Sequence, residues 1–246
     1  MNVLFNSFRM RSLLVSWILL ISTGMWAQRV IDITKDDANL LNPNYFYTVS
    51  GEPIGLPKYV KVVEGSAFFN ADWLKGRVML TGGKEYGPML LKLDLLKNEV
   101  YYLDPSGKEM IATTPLQRII LIDTMHNLHY IFINSFSIPA TNPDAENGWY
   151  QLLDNGKASI YKKLTKVITE TRPYGSATTE QVINTSSRYF ILYNNQLIRI
   201  KKFRDLPDIL TDKKTEVQYF INANKLTGKG DEDYNMVVTY YNDMFQ

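Results

Sequence analysis

The chain has 246 residues, of which 45% are hydrophobic and 21% charged, with no cysteine, two histidines and a formal net charge of +2. These proportions are typical of a folded globular protein and exclude a disordered tail, a collagen and a disulfide scaffold. The absence of cysteine also excludes thiol catalysis and zinc sites built on thiolates.

The N-terminus has the pattern of a secretory signal peptide. Arg9 and Arg11 are its only charged residues, and they precede the apolar run Leu13–Ile21. A basic start, a short apolar core and a small residue at the cleavage position define such peptides. We expect cleavage after Ala27, with Gly24 as the alternative. An uncleaved anchor is disfavoured because the run is shorter than the roughly 20 residues of a membrane span.

Removal of this segment changes the charge balance of the chain. The remaining residues contain 25 basic and 25 acidic side chains, so the slight basic excess belongs to the signal peptide. The mature chain therefore gives no reason to expect a nucleic-acid partner. It also contains no apolar run of about 18 residues, so no membrane span is predicted for it. We expect an exported protein that is periplasmic, outer-envelope-associated or secreted.

The middle of the chain has the pattern of successive β-hairpins. Runs of β-branched and aromatic residues alternate with turn sequences such as those at 104–107 and 154–156. In the run 89–96, leucines alternate with Lys92 and Asp94, which indicates a strand with one buried face. We count roughly ten strands joined by tight antiparallel turns.

Two polar stretches interrupt this β pattern. Residues 136–148 contain two prolines and several turn formers, which makes them a candidate break between two β domains. We expect a single β body, and two β domains joined near residue 140 are the alternative. Residues 171–187 are polar, and we expect a long loop there with one weak strand near 181–184.

The C-terminal segment changes to helical periodicity. Asp205 is expected to cap a short helix that has Pro207 in its first turn. A second helix carries apolar residues at i, i+3 and i+4, and a third begins with three acidic residues that favour the positive end of the helix dipole. The stripe of the third helix consists of Tyr234, Val237, Val238 and Tyr241.

Together these patterns predict a mainly β protein with antiparallel hairpins in a meander and short C-terminal α-helices, α+β overall. The predicted parts are a signal peptide (1–27), an N-terminal lead-in segment (28–64), an antiparallel β region (65–204) with the candidate break at 136–148, and a helical C-terminal segment (205–246).

Three stretches carry a family resemblance. They are Gly65–Asn70 leading to Trp73 and Gly76, Leu90–Leu95 following Tyr86, and Tyr189–Leu210 continuing through residues 212–214 to 224–226. They resemble segments of exported, signal-peptide-bearing cell-envelope proteins of environmental Gram-negative bacteria, a family of unknown function. The resemblance implies an envelope or secreted location and a β-rich body with terminal helices. It supplies no catalytic residue.

Catalytic and metal chemistry has few candidates in this sequence. His126 and His129 are the only histidines; we expect an exposed turn residue and a half-buried strand residue rather than a metal site. Asp94, Glu99 and Asp104 could pair across a hairpin as acid and base of a carboxylate-based hydrolase acting on envelope glycans. A polar-face position for Asp94 and a turn position for Asp104 are the structural alternative.

Other catalytic signatures are missing from the sequence. No GxSxG, HExxH or phosphate-binding glycine motif occurs. We therefore assign no catalytic residue, cofactor or metal, and favour a non-catalytic binding or scaffolding protein over the hydrolase. Tyr101 and Tyr102 are adjacent in a strand, so one of them should face outward or into a second layer.

The charge layout is the most informative functional feature. Residues 157–204 carry 10 basic and 2 acidic residues, a net charge of +8, between flanking regions of net −4 each (28–156 and 205–246). One interpretation is a docking face for an anionic envelope component or an acidic protein surface, with Lys162, Lys163, Arg199 and Lys201 as its candidate residues. The other is that acidic helices cover the basic sheet, through Asp205, Asp208, Asp212 or Glu216, or that the lysines form a solvated edge.

Overall fold

The structure is a computed structural model that describes residues 51–53, 60–141, 145–172, 174 and 179–245. The predicted signal peptide and most of the lead-in segment lie outside the described residues.

Twelve strands among the described residues form one mixed sheet. They are β1 (Gly51–Pro53), β2 (Val60–Glu64), β3 (Leu74–Leu80), β4 (Glu85–Asp94), β5 (Glu99–Leu103), β6 (Glu109–Ala112), β7 (Leu116–Asp123), β8 (Leu128–Asn134), β9 (Trp149–Asp154), β10 (Ser159–Thr171), β11 (Thr179–Tyr193) and β12 (Gln196–Ile200). The predicted mainly β, α+β architecture is confirmed.

The strand order is β1-β6-β5-β4-β3-β7-β8-β9-β10-β11-β12, and every neighbouring pair along it is antiparallel. β2 lies off this path and pairs in parallel with the first residues of β11. Two strands therefore come from the predicted lead-in segment, which lacks the turn-and-run pattern that marks the later hairpins.

The β10–β11 hairpin is longer than the sequence predicts. Its register runs from Ser159 opposite Leu192 to Thr171 opposite Glu180, through residues expected to form a loop. β9 and β12 pair only with the half of the hairpin near the sheet centre. The outer half carries mostly polar residues on both faces, so its sequence shows no apolar alternation. The predicted long loop is therefore wrong for residues 179–187, which belong to β11, whereas the weak strand predicted near 181–184 lies within that strand.

Residues 136–148 connect two strands that pair with each other. β8 and β9 are antiparallel, with Ile131 opposite Leu152 and Asn134 opposite Trp149. Hydrogen bonding in the sheet is therefore continuous across the candidate break.

Three apolar clusters hold the molecule together. The first lies on one face of β3 to β8 and includes Leu91, Leu93 and Leu95, the leucines whose alternation predicted a buried face. The second lies between β10–β12 and the C-terminal helices. The third covers the opposite face of β9–β12, where Ile138 from the connecting segment packs beside Tyr150.

Three α-helices follow the sheet: α1 (Leu206–Ile209), α2 (Lys214–Ala223) and α3 (Asp231–Asp243). The predicted stripe of α3 is buried at all four positions. The predicted N-cap bond of Asp205 is absent from α1. Its Oδ2 instead accepts a hydrogen bond from the Lys202 amide at 3.0 Å, because a 3₁₀ turn at Phe203–Asp205 precedes the helix.

Candidate functional site

The basic segment predicted as a docking face divides between the two faces of the sheet. Lys162 and Lys163 are adjacent on β10, so their side chains point in opposite directions. Lys162 faces the helices, and its Nζ donates to Asp231 Oδ2 at 2.8 Å. Tyr189 donates its hydroxyl to the other oxygen of that carboxylate and stacks on Tyr234, 3.7 Å between ring centroids. Lys162 is thus held under the start of α3.

Lys163 points to the other face and is 6% exposed. Its Nζ donates to the main-chain oxygens of Glu146 at 2.9 Å and Asn147 at 2.6 Å, and it lies 4.4 Å from the centre of the Tyr150 ring. Burial lowers the pKa of Lys163 to about 8. This lysine fixes the segment that joins β8 to β9 against the sheet.

Arg188 reinforces the same attachment. It lies opposite Lys163 on β11, and it donates to the Glu146 carboxylate and to Thr165 Oγ1, the latter at 3.0 Å. The side-chain and main-chain oxygens of Glu146 are therefore held by two neighbouring bases. The sequence gives no signal for this contact, because Glu146 lies in a different segment from both.

Acidic side chains of the helical segment neutralise further bases of the sheet. Asp212 lies 3.6 Å from Lys157, so one of the four acids named as covering candidates forms an ion pair with the basic segment. Among the described residues, the Asp205 carboxylate contacts only the main-chain amide of Lys202. Asp208 and Glu216 pair instead with lysines of their own segment, Lys214 and Lys213.

Arg199 and Lys201 have a different environment from the first two candidates. Both are exposed, and Lys202 and Arg204 beside them are exposed as well. None of these four side chains has an ion pair with any acid in the part of the chain that the structure describes. They lie at the end of β12, the last strand of the sheet, and we call them the β12 basic strip.

The strip spans only six residues, from Arg199 near the end of β12 to Arg204 in the 3₁₀ turn at Phe203–Asp205. The four candidate residues predicted from the sequence do not form one exposed group, since two of them are engaged inside the fold. Lys202 and Arg204 were missed as partners of Arg199 and Lys201. In a strand, adjacent residues such as Lys201 and Lys202 would point to opposite faces of the sheet. Because β12 ends at Ile200, this alternation does not apply to the residues that follow it.

Two of the three carboxylates considered for hydrolysis close turns of the sheet, and the third, Glu99, accepts a hydrogen bond from the Tyr101 hydroxyl at 3.0 Å. Asp94 is opposite Glu99, and its Oδ1 accepts the amides of Leu96 at 2.8 Å and Lys97 at 2.9 Å. It is 3% exposed rather than on a solvated face, because Phe68 pairs alongside it, and burial raises its pKa. Asp104 closes the next turn, accepting the amide of Ser106 at 2.8 Å.

The tyrosine pair and the histidines also take local structural positions. Tyr102 is buried in the first cluster, and Tyr101, on the opposite face, is covered by Phe68 at 5.4 Å between ring centroids. His126 Nδ1 lies 2.7 Å from Asp123 Oδ2 in a turn. His129 is exposed rather than half-buried. Within the described ranges, no group of three His, Cys, Asp or Glu residues is placed to hold a metal ion.

No family model, curated protein or solved structure matches this chain. Among the helices that the structure describes, none has both the length and the apolar character needed to cross a membrane.

Proposed function

We propose that this protein is a non-catalytic, exported cell-envelope protein that docks on an anionic lipid surface through the β12 basic strip. The observation that carries the proposal is the exposure of four neighbouring bases, Arg199, Lys201, Lys202 and Arg204, without acidic partners among the described residues. The signal-peptide pattern at the N-terminus supports the envelope location.

The other bases of the segment 157–204 differ from the strip because contacts within the fold engage them. Lys157, Lys162 and Arg188 lie within ion-pair reach of an acid. Lys163 donates to two main-chain oxygens, and Lys166 donates to Thr185 Oγ1 at 2.9 Å. Contacts within the fold therefore engage these five bases, whereas no ion pair among the described residues engages the strip. Exposed charges at a sheet edge also discourage strand pairing between molecules, which is the alternative role of the strip.

An anionic lipid surface suits the geometry of the strip. Long basic side chains in a compact run can contact several phosphates together, without a shaped pocket. Each basic residue near such a surface contributes about 1 kcal/mol, and the attraction falls off within a Debye length. An acidic protein surface is the second partner class with the same charge.

The test is sedimentation with vesicles of phosphatidylcholine, with and without phosphatidylglycerol. The wild-type chain should bind only the anionic vesicles, and salt should weaken the binding. The variant R199Q/K201Q/K202Q/R204Q should bind about 1,000-fold more weakly, since it loses about 1 kcal/mol at each of four positions.

A matched control removes the same charge elsewhere. The variant K75Q/K97Q/K108Q/K225Q neutralises four exposed lysines outside the strip and should keep most of the binding. Equal loss in both variants would indicate a response to net charge alone, and absence of binding by the wild-type chain contradicts docking on lipid. Melting temperatures of both variants should match the wild type, because all eight side chains are exposed.

A further inference from the structure

The helical layer carries a groove of its own, on the side of α3 away from its buried stripe. The groove lies between α2 and α3 and has a volume of about 430 Å³. Its floor is apolar: the rings of Phe220 and Tyr240 stack at 4.0 Å with an angle of 8°, and Met236 beside them is 38% exposed. We call it the α2–α3 groove.

Acidic residues stand at both ends of this floor. Glu232 lies in the first turn of α3 and Asp243 is its last residue, so the two positions are roughly 16 Å apart along the helix axis. Neither carboxylate has an ion pair within the described residues. Both are exposed, so neither is required by the packing of the fold.

An amide in the wall contributes no accessible acceptor. Asn235 lines the groove, but its Oδ1 is buried and has no hydrogen-bond partner among the described residues. The charge of the groove therefore comes from Glu232 and Asp243, and two carboxylates favour a cationic ligand.

We propose that the α2–α3 groove binds a cationic peptide segment of a partner protein. An apolar side chain of that segment would contact Met236 and the stacked rings, and flanking lysine or arginine side chains would reach Glu232 and Asp243. A single small amine could meet only one of these carboxylates, whereas an extended chain rises about 3.4 Å per residue and spans both with five residues and two long side chains. Acidic segments are repelled from both ends.

The test uses a fluorescein-labelled peptide, Lys-Ser-Leu-Ser-Lys, and fluorescence anisotropy with the full mature chain. Binding should be saturable and should weaken with salt. E232K/D243K should reduce the affinity at least about tenfold, since two attractive pairs become repulsive. Met236→Ser should weaken binding several-fold at unchanged charge, which reports on the apolar contact.

The control variant D72K/E109K makes the same change of net charge at two exposed acids outside the groove. It should bind the peptide as the wild type does. The proposal is overturned if E232K/D243K and this control bind alike, if Glu-Ser-Leu-Ser-Glu binds as well as the basic peptide, or if a linear diamine of similar span competes with equal affinity. Circular dichroism should show that every variant is folded.

The groove does not depend on the β12 basic strip. The strip variant R199Q/K201Q/K202Q/R204Q should retain peptide binding, and E232K/D243K should retain binding to anionic vesicles. Failure of either surface in its own assay therefore leaves the other unaffected.

Discussion

Lys163 is a buried base whose protonation is linked to the stability of the fold. Its Nζ donates to two main-chain oxygens, and a neutral amine still has the two N–H groups that those bonds need. Burial lowers its pKa from 10.5 to about 8. Between these values the unfolded chain holds the proton more tightly than the folded chain does, so the lysine makes the free energy of unfolding rise with pH.

We expect Lys163→Met to remove this rise. From pH 8 to pH 10, the free energy of unfolding of the wild type should increase relative to the variant by about 1–3 kcal/mol. Urea unfolding at a series of pH values measures the difference. Lys97→Met, at an exposed position, is the control and should follow the wild-type pH dependence. A constant difference between wild type and Lys163→Met across this interval would show that the proton is not linked to folding.

At the scale of elements, the side-chain amide of Asn242 attaches the C-terminal end of α3 to the β9–β10 hairpin, in addition to the bonds of Asp231 and Thr239. Asn242 Oδ1 accepts the Ala158 amide at 2.9 Å, and Asn242 Nδ2 donates to the Ala158 carbonyl at 3.0 Å. The side-chain amide thus makes the same pair of hydrogen bonds to Ala158 that the main chain of a neighbouring strand would make. Gly156 is required beside it, because a Cβ there would lie 2.5 Å from the Asn242 amide atoms.

We expect Asn242→Ala to destabilise the protein by about 2–3 kcal/mol, since it leaves a buried N–H and a buried carbonyl without partners. In a chain of this size the melting temperature should fall by roughly 5–10 °C. Thr239→Val is the matched control: it removes an exposed bond from the same helix to Asp154 at 2.9 Å, and it should cost less than about 1 kcal/mol. Similar losses in both variants would argue against the special role of Asn242.

The sequence predicts elements well where one face is buried and the other is not. The alternating leucines of β4 and the stripe of α3 are confirmed at every predicted position. The outer half of β10–β11 escapes prediction because polar residues on both faces leave no alternation. One of the two interpretations of the charge layout is that acidic helices cover the basic sheet, and Asp212 and Asp231 do pair with Lys157 and Lys162. Lys163 instead donates to main-chain oxygens, and because every residue has such an oxygen, no sequence pattern indicates this contact.

At the scale of the whole molecule, charge is neutralised locally and incompletely. The helical segment brings Asp212 and Asp231 against bases of the sheet. The β12 basic strip keeps its positive charge and the α2–α3 groove keeps its negative charge, because neither has an ion pair among the described residues. Residues 28–246, which have no net charge, therefore present two separate charged surfaces, so net charge alone gives no indication of the partners.

The first apolar cluster contains residues from both sides of the segment 136–148, so its packing requires both parts of the β region. Most residues of this cluster precede the segment, but Trp149 belongs to β9, which follows it. Trp149 is 3% exposed and donates its indole N–H to the Asn98 carbonyl at 3.2 Å. Pairing of β8 with β9 and the bonds of Lys163 to Glu146 and Asn147 join the same two parts.

We therefore expect a cut in this segment to leave one folded body. A protease recognition sequence placed between residues 141 and 145 should allow complete cleavage, after which both fragments should co-elute at the size of the intact chain. Calorimetry should show one cooperative unfolding transition, shifted to lower temperature because the cut frees chain entropy in the unfolded state. Two separate transitions, or fragments that separate under native conditions, would instead establish two independent β domains joined at 136–148.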